Sequence, residues 1–152
     1  MTYTQSFAKA EMLIRKPVQE VFKAFIDPEI TTKIWFTKST GPLEEGKSIE
    51  WTWEMYNVTV PVQVRKVVQN QQIVIEWGNQ QELSTVSWTF KGLPEGTFVS
   101  VVNTFDGADT EKIIAMVRDS TEGFTLVLAN LKALMEHGIS LNLVADRFSK
   151  GI

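Results

Sequence analysis

The hydrophobic pattern changes its period along this chain, and that change limits the folds open to it. From residue 46 to residue 105, apolar and polar side chains alternate, a period of two that is typical of half-buried strands. From residue 110 to residue 137, apolar side chains recur at helical spacing. A run of strands followed by one long helix predicts an α+β domain.

The first strand of this run carries its apolar residues on one face: Ile49, Trp51, Trp53 and Met55. The next strand follows a turn near Tyr56 and Asn57 and contains Pro61. Because proline has no N–H to donate to a ladder, we expect an edge position or a bulge there. Short turns such as Leu93 to Gly96 separate the later strands, so each strand should pair with the next in an antiparallel hairpin.

The residues before this run predict one strand and two short helices. Phe7 to Ile14 is expected to form the strand. Pro17 suits the first turn of a helix, where its missing N–H would have no intrahelical partner. Asp27 and Pro28 repeat the signal, as the cap and the first residue of a second short helix.

The long helix has a start signal and a stop signal. Asp109 or Thr110 can cap its first turn, and Gly138 is a natural left-handed C-cap. Its apolar stripe contains Ile113, Val117, Phe124, Leu128, Leu131 and Met135. At about 1.5 Å per residue, such a helix is long enough to cross a whole sheet.

Gly123 interrupts the helical pattern, and Asp119 with Glu122 resembles a second capping signal. We therefore expect a kink or a break near this glycine. The tail, Ile139 to Ile152, is expected to pack back on the domain through its apolar residues, which are Leu141, Leu143, Val144 and Phe148.

The predicted sheet has one apolar face, and the long helix is the only predicted element large enough to cover it. We therefore predict a single domain spanning residues 1–152 with a helix-grip fold. In this fold, a curved antiparallel sheet wraps around the long C-terminal α-helix, and two short helices lie between the first two strands.

Composition excludes several classes of function. A chain of 152 residues suits one domain, and its net charge of −3, with Lys and Arg spread along the sequence, disfavours nucleic-acid binding. The absence of Cys excludes disulfides, thiolate catalysis and Cys-ligated zinc, and a single His excludes a His-rich metal site. We expect no cofactor, no signal peptide and no membrane span, and hence a cytoplasmic protein.

Three segments resemble the SRPBCC superfamily of START-related, helix-grip proteins: IRKPVQEVFKAFIDPEITTKIW, LPEGTFVSVV and STEGFTLVLANLKALMEHG. Within it, they are most similar to the proteins named after the activator of the heat-shock protein 90 ATPase. The order and spacing of the Pro17, Asp27-Pro28-Glu29, Gly96-Thr97 and Gly123-Phe124 markers carry the likeness, which covers nearly the whole chain. One departure is Phe124, where such proteins often have Trp after the glycine.

The resemblance implies a cavity between the sheet and the long helix, which the superfamily typically uses for lipids, sterols, polyketides or other apolar molecules. It does not imply an enzyme, because the fold serves both carriers and catalysts. The candidate cavity residues are Trp35, Trp51, Trp53, Tyr56, Trp77, Trp88, Asn103, Phe105, Phe124 and Leu128. The alternative is that the same aromatic side chains fill the interior as ordinary core.

Two polar candidates accompany these aromatic residues. Asn103 shares the parity of Val101 and Phe105, so its amide should point inward, either to a structural hydrogen-bond partner or to a ligand. Tyr56 could offer its hydroxyl to a ligand or close a turn. Trp35 and Phe36 could form a gate at the cavity entrance, or pack under the loop from Ser39 to Glu45.

The charged residues are weak catalytic candidates. Glu54 and Glu76 should lie on the solvent face, opposite the Trp-bearing face, and Arg65 and Asp106 are expected near the mouth of the sheet. His137 stands just before Gly138, where its charge suits a helix C-terminus. We therefore assign no catalytic residue and no metal ligand.

Three functions remain open at this point. The first is binding of a small hydrophobic molecule without catalysis. The second is a cyclase-like or hydrolase-like enzyme that uses the same cavity, with a Tyr or a carboxylate as acid or base. The third is an interaction module that forms a homodimer or contacts a chaperone. The chaperone contact is the weakest of these, because single-domain relatives lack the additional domain of the eukaryotic co-chaperone.

Overall fold

The computed structural model describes residues 6–78, 83–107 and 109–147 of the chain. The strands are β1 (Ser6–Ile14), β2 (Lys38–Ser39), β3 (Ser48–Trp53), β4 (Val58–Val68), β5 (Gln72–Trp77), β6 (Ser84–Leu93) and β7 (Gly96–Phe105). The helices are α1 (Val18–Ile26), α2 (Pro28–Thr31) and α3 (Thr110–His137).

All seven strands form one antiparallel sheet in the order β1-β7-β6-β5-β4-β3-β2. The sheet is curved and its buried face packs around α3, so the predicted helix-grip fold is confirmed. Consecutive strands from β2 to β7 are neighbours, as expected for hairpins, while β1 returns to pair with β7. No helix in the described part of the chain has the length and apolar character that crossing a membrane requires.

The end of β3 differs from the sequence prediction. The strand stops at Trp53, and Met55 lies in a 3-10 turn formed by Glu54–Tyr56 instead of continuing the strand. The Thr37 hydroxyl accepts a hydrogen bond from the Glu54 amide at 2.9 Å, which removes that amide from strand pairing. Asn57 then adopts a left-handed conformation with φ 53° and reverses the chain into β4.

Pro61 lies in an interior strand, because β4 pairs with both β3 and β5. The β4–β5 ladder begins one residue later, at Val62, so Pro61 has only β3 as a full partner and needs no donor on its other side. The irregularity in β4 falls between Val64 and Lys66. The strand is therefore bulged, but not at the proline.

Both sequence signals for a helix start, at Pro17 and at Asp27-Pro28, coincide with the start of a helix. Asp27 caps α2 by accepting a hydrogen bond from the Glu29 amide at 3.0 Å, with Pro28 as first helical residue. Pro17 caps α1 from just outside the helix, and its carbonyl accepts from the Val21 amide at 3.2 Å. The short strand β2 was not predicted, because its two residues fall in a segment that reads as a loop.

The helix α3 is continuous over 28 residues, so the predicted break at Gly123 is wrong. Asp109 caps its start by accepting from the Lys112 amide at 3.1 Å, and Gly138 ends it with φ 66°. Asp119 and Glu122 do not cap a second helix. Both side chains instead bind Arg147 of the tail, which explains why two acidic residues and a glycine occur within this helix.

A group of polar contacts fixes the end of α3 to the end of β1. The Lys132 ammonium donates to the Leu13 carbonyl and to the Glu136 carboxylate, each at 2.7 Å. The Arg15 amide also donates to Glu136, at 2.8 Å. Burial tends to raise the pKa of Glu136, but these donors together with the positive charge of Lys132 outweigh it and hold the pKa below its ordinary value.

Candidate ligand cavity

A cavity of about 560 Å³ lies between the inner face of the sheet and α3. Residues from β3, β4, β5, β6 and β7 line its sheet side, and residues 116–127 of α3 line the opposite side. Residues 144 and 147, from the tail, also contribute to the wall. Trp35, from the segment between α2 and β2, lines the cavity as well, so residues distant in sequence meet in this wall.

One wall of the cavity is aromatic. Trp35 approaches Phe124 with ring centroids 5.4 Å apart and Trp77 at 5.6 Å, and Trp77 lies 5.9 Å from Phe124. These tilted and edge-to-face arrangements are the favourable ones for aromatic pairs. Of the ten candidates, seven line the cavity: Trp35, Trp53, Tyr56, Trp77, Asn103, Phe105 and Phe124.

The other three candidates, Trp51, Trp88 and Leu128, do not line the cavity, and each is at most 1% exposed. Trp51 stacks on Phe36, with ring centroids 4.5 Å apart and an interplanar angle of 17°. These residues share the inward parity of the lining residues but form a second layer behind them. Phe36 belongs to this layer too, so Trp35 alone of the two proposed gate residues faces the cavity.

The cavity also has a polar end, which centres on Asn103, a residue that is 1% exposed. Its amide nitrogen donates to the Ser84 hydroxyl and to the Thr85 carbonyl, both at 3.0 Å. Its amide oxygen accepts from the Ser120 hydroxyl at 2.9 Å. Ser84, Asn103 and Ser120 all line the cavity, so the structural partners of Asn103 and the cavity wall are the same residues.

The tail forms a strap across the cavity, which we define as residues 139–147. The Tyr56 hydroxyl donates to the Val144 carbonyl and to the Ala145 carbonyl, the second at 3.1 Å. Val144 packs against the core and lines the cavity. The tail returns to the domain through Val144 and Arg147, but Leu141 is 46% exposed, so the expectation that Leu141 packs on the domain is wrong. Phe148 lies outside the described residues.

Arg147 fastens the end of the strap to α3. Its Nη2 donates to the Asp119 carboxylate at 2.7 Å and to the Asp119 carbonyl at 2.9 Å, and its Nε donates to Glu122 at 2.9 Å. The Arg147 side chain is 14% exposed, whereas those of Asp119 and Glu122 are 69% and 58% exposed. A Cβ at Gly123 would stand 2.9 Å from Arg147 Nη1, so the missing side chain makes room for the guanidinium.

Asn130 connects the strap to the segment that carries Trp35. This buried side chain donates from its amide nitrogen to the Ile34 carbonyl at 3.0 Å and accepts from the Leu143 amide at 3.4 Å. Among the described residues, the side chains of Tyr56, Asn130 and Arg147 tie the strap to the rest of the molecule.

The charged candidates lie away from the cavity. Arg65 and Glu76 form an ion pair on the outer face of the sheet, and Glu54 lies 3.8 Å from Lys38 at the surface. Asp106 follows β7 at an exposed position. His137 is 65% exposed at the C-terminus of α3, as its position before the C-cap predicts. Within residues 6–78, 83–107 and 109–147, no three His, Cys, Asp or Glu side chains cluster as metal ligands.

Sequence reasoning missed twelve of the lining residues, among them Ser84, Ser120, Val144 and Arg147. Ser84 shares the parity of Trp88, and Ser120 precedes Phe124 by one helical turn, so periodicity could have found both. The local sequence around Arg147 carries no comparable signal, because its partners lie 25 and 28 residues earlier in the chain.

Comparisons with known proteins agree with this architecture. A family model described as activator of Hsp90 ATPase homolog 1-like protein matches residues 15–136. No curated protein matches the chain significantly.

Solved structures give many matches, of which three illustrate the range. Protein SSP2350 from Staphylococcus saprophyticus is 28% identical with a TM-score of 0.77, over 90% of this chain and 96% of that one. Protein MLL2253 from Mesorhizobium loti is 17% identical with a TM-score of 0.76, over 88% and 99%. The Aha1 dimer from Colwellia psychrerythraea is 14% identical with a TM-score of 0.73, over 88% and 98%. The last two likenesses show a common fold.

Proposed function

The chain belongs to the family of activator of Hsp90 ATPase homolog 1-like proteins, and from this premise we propose that it binds a small apolar molecule between the sheet and α3. The fold is one that commonly holds hydrophobic ligands. We propose binding only and assign no chemical reaction to the site.

The observation that carries this proposal is the cavity itself. Its volume of about 560 Å³ falls within the roughly 300–1,000 Å³ that is usual for small-molecule sites. Sites for small molecules are lined mainly by hydrophobic and aromatic side chains with a few polar groups. The aromatic residues therefore act both as core, in the layer of Trp51 and Trp88, and as cavity wall, in the layer of Trp35 and Trp77.

Catalysis has less support than binding. The Tyr56 hydroxyl donates to the strap carbonyls, and the Asp119 carboxylate is paired with Arg147. Both groups therefore have structural partners that explain their position. We retain the cyclase-like or hydrolase-like enzyme only as an alternative.

Native mass spectrometry of freshly purified protein tests the proposal first, since a retained small molecule would identify the natural ligand. A second test uses naphthalene as an apolar probe in calorimetric unfolding. A ligand that binds only the folded state at 100 times its Kd raises the free energy of unfolding by about 2.7 kcal/mol. We expect stabilisation of the wild-type protein that increases with probe concentration.

Two matched variants locate the binding. Val60 lines the cavity, so Val60→Phe should fill part of it and weaken naphthalene binding. Val74 lies between the buried Ile73 and Ile75 and thus on the outer face, so Val74→Phe should leave binding unchanged. Equal binding by both variants would place the probe elsewhere and contradict the proposal.

A homodimer is the second candidate, because the Colwellia Aha1 protein is a dimer. Light scattering during size-exclusion chromatography would decide this directly from the mass of the eluting species. A chaperone contact, which the family description suggests, stays a prediction; a pull-down with purified Hsp90 would test it.

A further inference from the structure

The hydrogen-bond network at the polar end of the cavity defines which ligand group fits there, and this inference rests on the proposed binding function. The Thr85 carbonyl can only accept, so the Asn103 group that approaches it at 3.0 Å must be the amide NH2. That contact fixes the orientation of the whole amide.

The orientation of Asn103 then fixes both serines. The second hydrogen of the NH2 group goes to Ser84 Oγ, which accepts it. The Asn103 oxygen faces Ser120, and because a carbonyl oxygen only accepts, the Ser120 hydroxyl must donate. The Ser120 hydroxyl therefore has no second hydrogen to donate to a ligand.

Each of the two serine hydroxyls keeps hydrogen-bonding capacity that Asn103 does not use. Ser84 has accepted one hydrogen bond, and its own O–H has no acceptor among the described residues. The Ser120 hydroxyl donates its hydrogen bond to Asn103, and its oxygen keeps lone pairs that can accept another hydrogen bond. Both residues line the cavity and Ser84 is 8% exposed, so the wall presents one donor and one acceptor beside Asn103.

A ligand carboxylate fits this pair poorly, since it can accept from Ser84 but faces the Ser120 oxygen with another acceptor. The cation among the described lining residues is Arg147, which is already shared by two carboxylates, Asp119 and Glu122. A neutral hydroxyl both donates and accepts through one oxygen atom, as the two serines require.

We propose that this end of the cavity selects a neutral hydroxyl group, so that the ligand is an aromatic or alicyclic alcohol or phenol. Its hydroxyl accepts from Ser84 and donates to Ser120, while its ring system lies against Trp35, Trp77 and Phe124. Asn103 acts as a positioning residue, because it orients both serine hydroxyls without needing to touch the ligand.

Equilibrium dialysis of the purified protein against naphthalene, 2-naphthol and 2-naphthoate, quantified by liquid chromatography, tests this selectivity. Two net hydrogen bonds predict about tenfold tighter binding of 2-naphthol than of naphthalene. The 2-naphthoate anion should bind more weakly than either of the other two.

Ser84→Ala removes the donor and should reduce the preference for 2-naphthol over naphthalene to about threefold. Ser87→Ala, on the outer face of the same strand, is the matched control and should keep the full preference. Should Ser84→Ala fail to fold, the order of the three probes on the wild-type protein still decides the matter.

The outcomes separate this inference from the function on which it rests. Binding of all three probes with equal affinity, or stronger binding of 2-naphthoate, would overturn the hydroxyl selectivity and leave apolar binding intact. A preference for 2-naphthol that survives Ser84→Ala unchanged would also overturn it. Failure of every probe to bind would overturn both proposals.

Discussion

Replacing Gly123 by alanine should have two opposing effects on stability. It increases the helix propensity of α3, and it weakens the bonds that anchor the strap. Alanine is more favourable than glycine inside a helix by about 1 kcal/mol. The new Cβ, however, would lie 2.9 Å from Arg147 Nη1, well inside the roughly 3.5 Å of a comfortable contact. We therefore expect the guanidinium, at the end of a flexible side chain, to shift and its bonds to Asp119 and Glu122 to weaken.

The size of this loss follows from the exposure of the partners. Each exposed ion pair contributes about 0.2–1 kcal/mol, and the hydrogen bond to the Asp119 carbonyl adds about 1 kcal/mol. Together these interactions are expected to contribute about 1.4–3 kcal/mol, of which we expect a displaced guanidinium to lose about 1–2 kcal/mol. Gly123→Ala alone should change the free energy of unfolding by less than about 1 kcal/mol, because gain and loss nearly cancel.

A double-mutant cycle with Arg147→Ala separates the two effects. In that background the Cβ meets no guanidinium, so Gly123→Ala should stabilise the protein by about 1 kcal/mol. The coupling between the two sites should then be about 1–2 kcal/mol, measured by urea unfolding of all four proteins with unchanged m-values.

Hydrogen exchange provides an independent measurement for the same variants. Loss of about 1–2 kcal/mol from the anchor should increase opening of the strap, and hence exchange at the Leu143 and Arg147 amides, by about 5- to 30-fold. The reasoning is refuted if Gly123→Ala stabilises both backgrounds equally, because Arg147 would then not lie against this glycine.

Three further predictions concern single side chains. Asn103→Leu should lower the free energy of unfolding by about 2–4 kcal/mol in urea, because it leaves Ser84 and Ser120 without their partner; an unchanged midpoint would show that the network is not stabilising. Asp27→Ala removes the cap of α2, so it should lower the free energy of unfolding by about 1 kcal/mol and the Tm by roughly 2–4 °C in calorimetry. The exposed Glu44→Ala variant is the control, and a lowered Tm there would contradict the assignment. The lowered pKa of Glu136 means that its stabilisation is present at neutral pH and is lost as the pH falls below about 4.5 and through its folded-state pKa. Glu136→Gln should therefore destabilise the protein more at pH 7 than at pH 3, and equal losses at both would contradict the assignment.

The fold was predictable because its main elements are encoded locally. The alternation around Trp51 and Trp88 and the helical stripe around Phe124 each appear within a few neighbouring residues. Capping by Asp27 and by Asp109 could be predicted for the same reason, since the donor lies two or three residues from the acceptor.

The details that failed depend on contacts between distant segments. Met55 does not continue the strand, because the Thr37 hydroxyl accepts the hydrogen bond of the Glu54 amide that strand pairing would have used. Thr37 lies 17 residues before Glu54 in the chain. Gly123 did not break α3, because its role is to admit a guanidinium from the tail. Periodicity reports the face on which a side chain lies, but not the other segments that reach that face.

The cavity shows the same limit at finer scale. Inward parity placed Trp51 and Leu128 on the correct side of the sheet and helix, but it could not distinguish lining residues from the layer behind them. That distinction depends on how far Trp35 and Phe124 extend over their neighbours, which three-dimensional packing decides.

The aromatic wall also determines how the molecule interacts with light. Trp35 has its ring centroid 4.8–6.0 Å from those of the other four tryptophans: Trp51, Trp53, Trp77 and Trp88. Indole chromophores this close exchange excitation energy and couple their transitions, so near-ultraviolet absorption and emission belong to the cluster rather than to single residues. Because three of the five line the cavity, a molecule that enters it should change the emission spectrum and the near-ultraviolet circular dichroism of the whole cluster. Such a change would report the proposed ligand binding in real time without any added label.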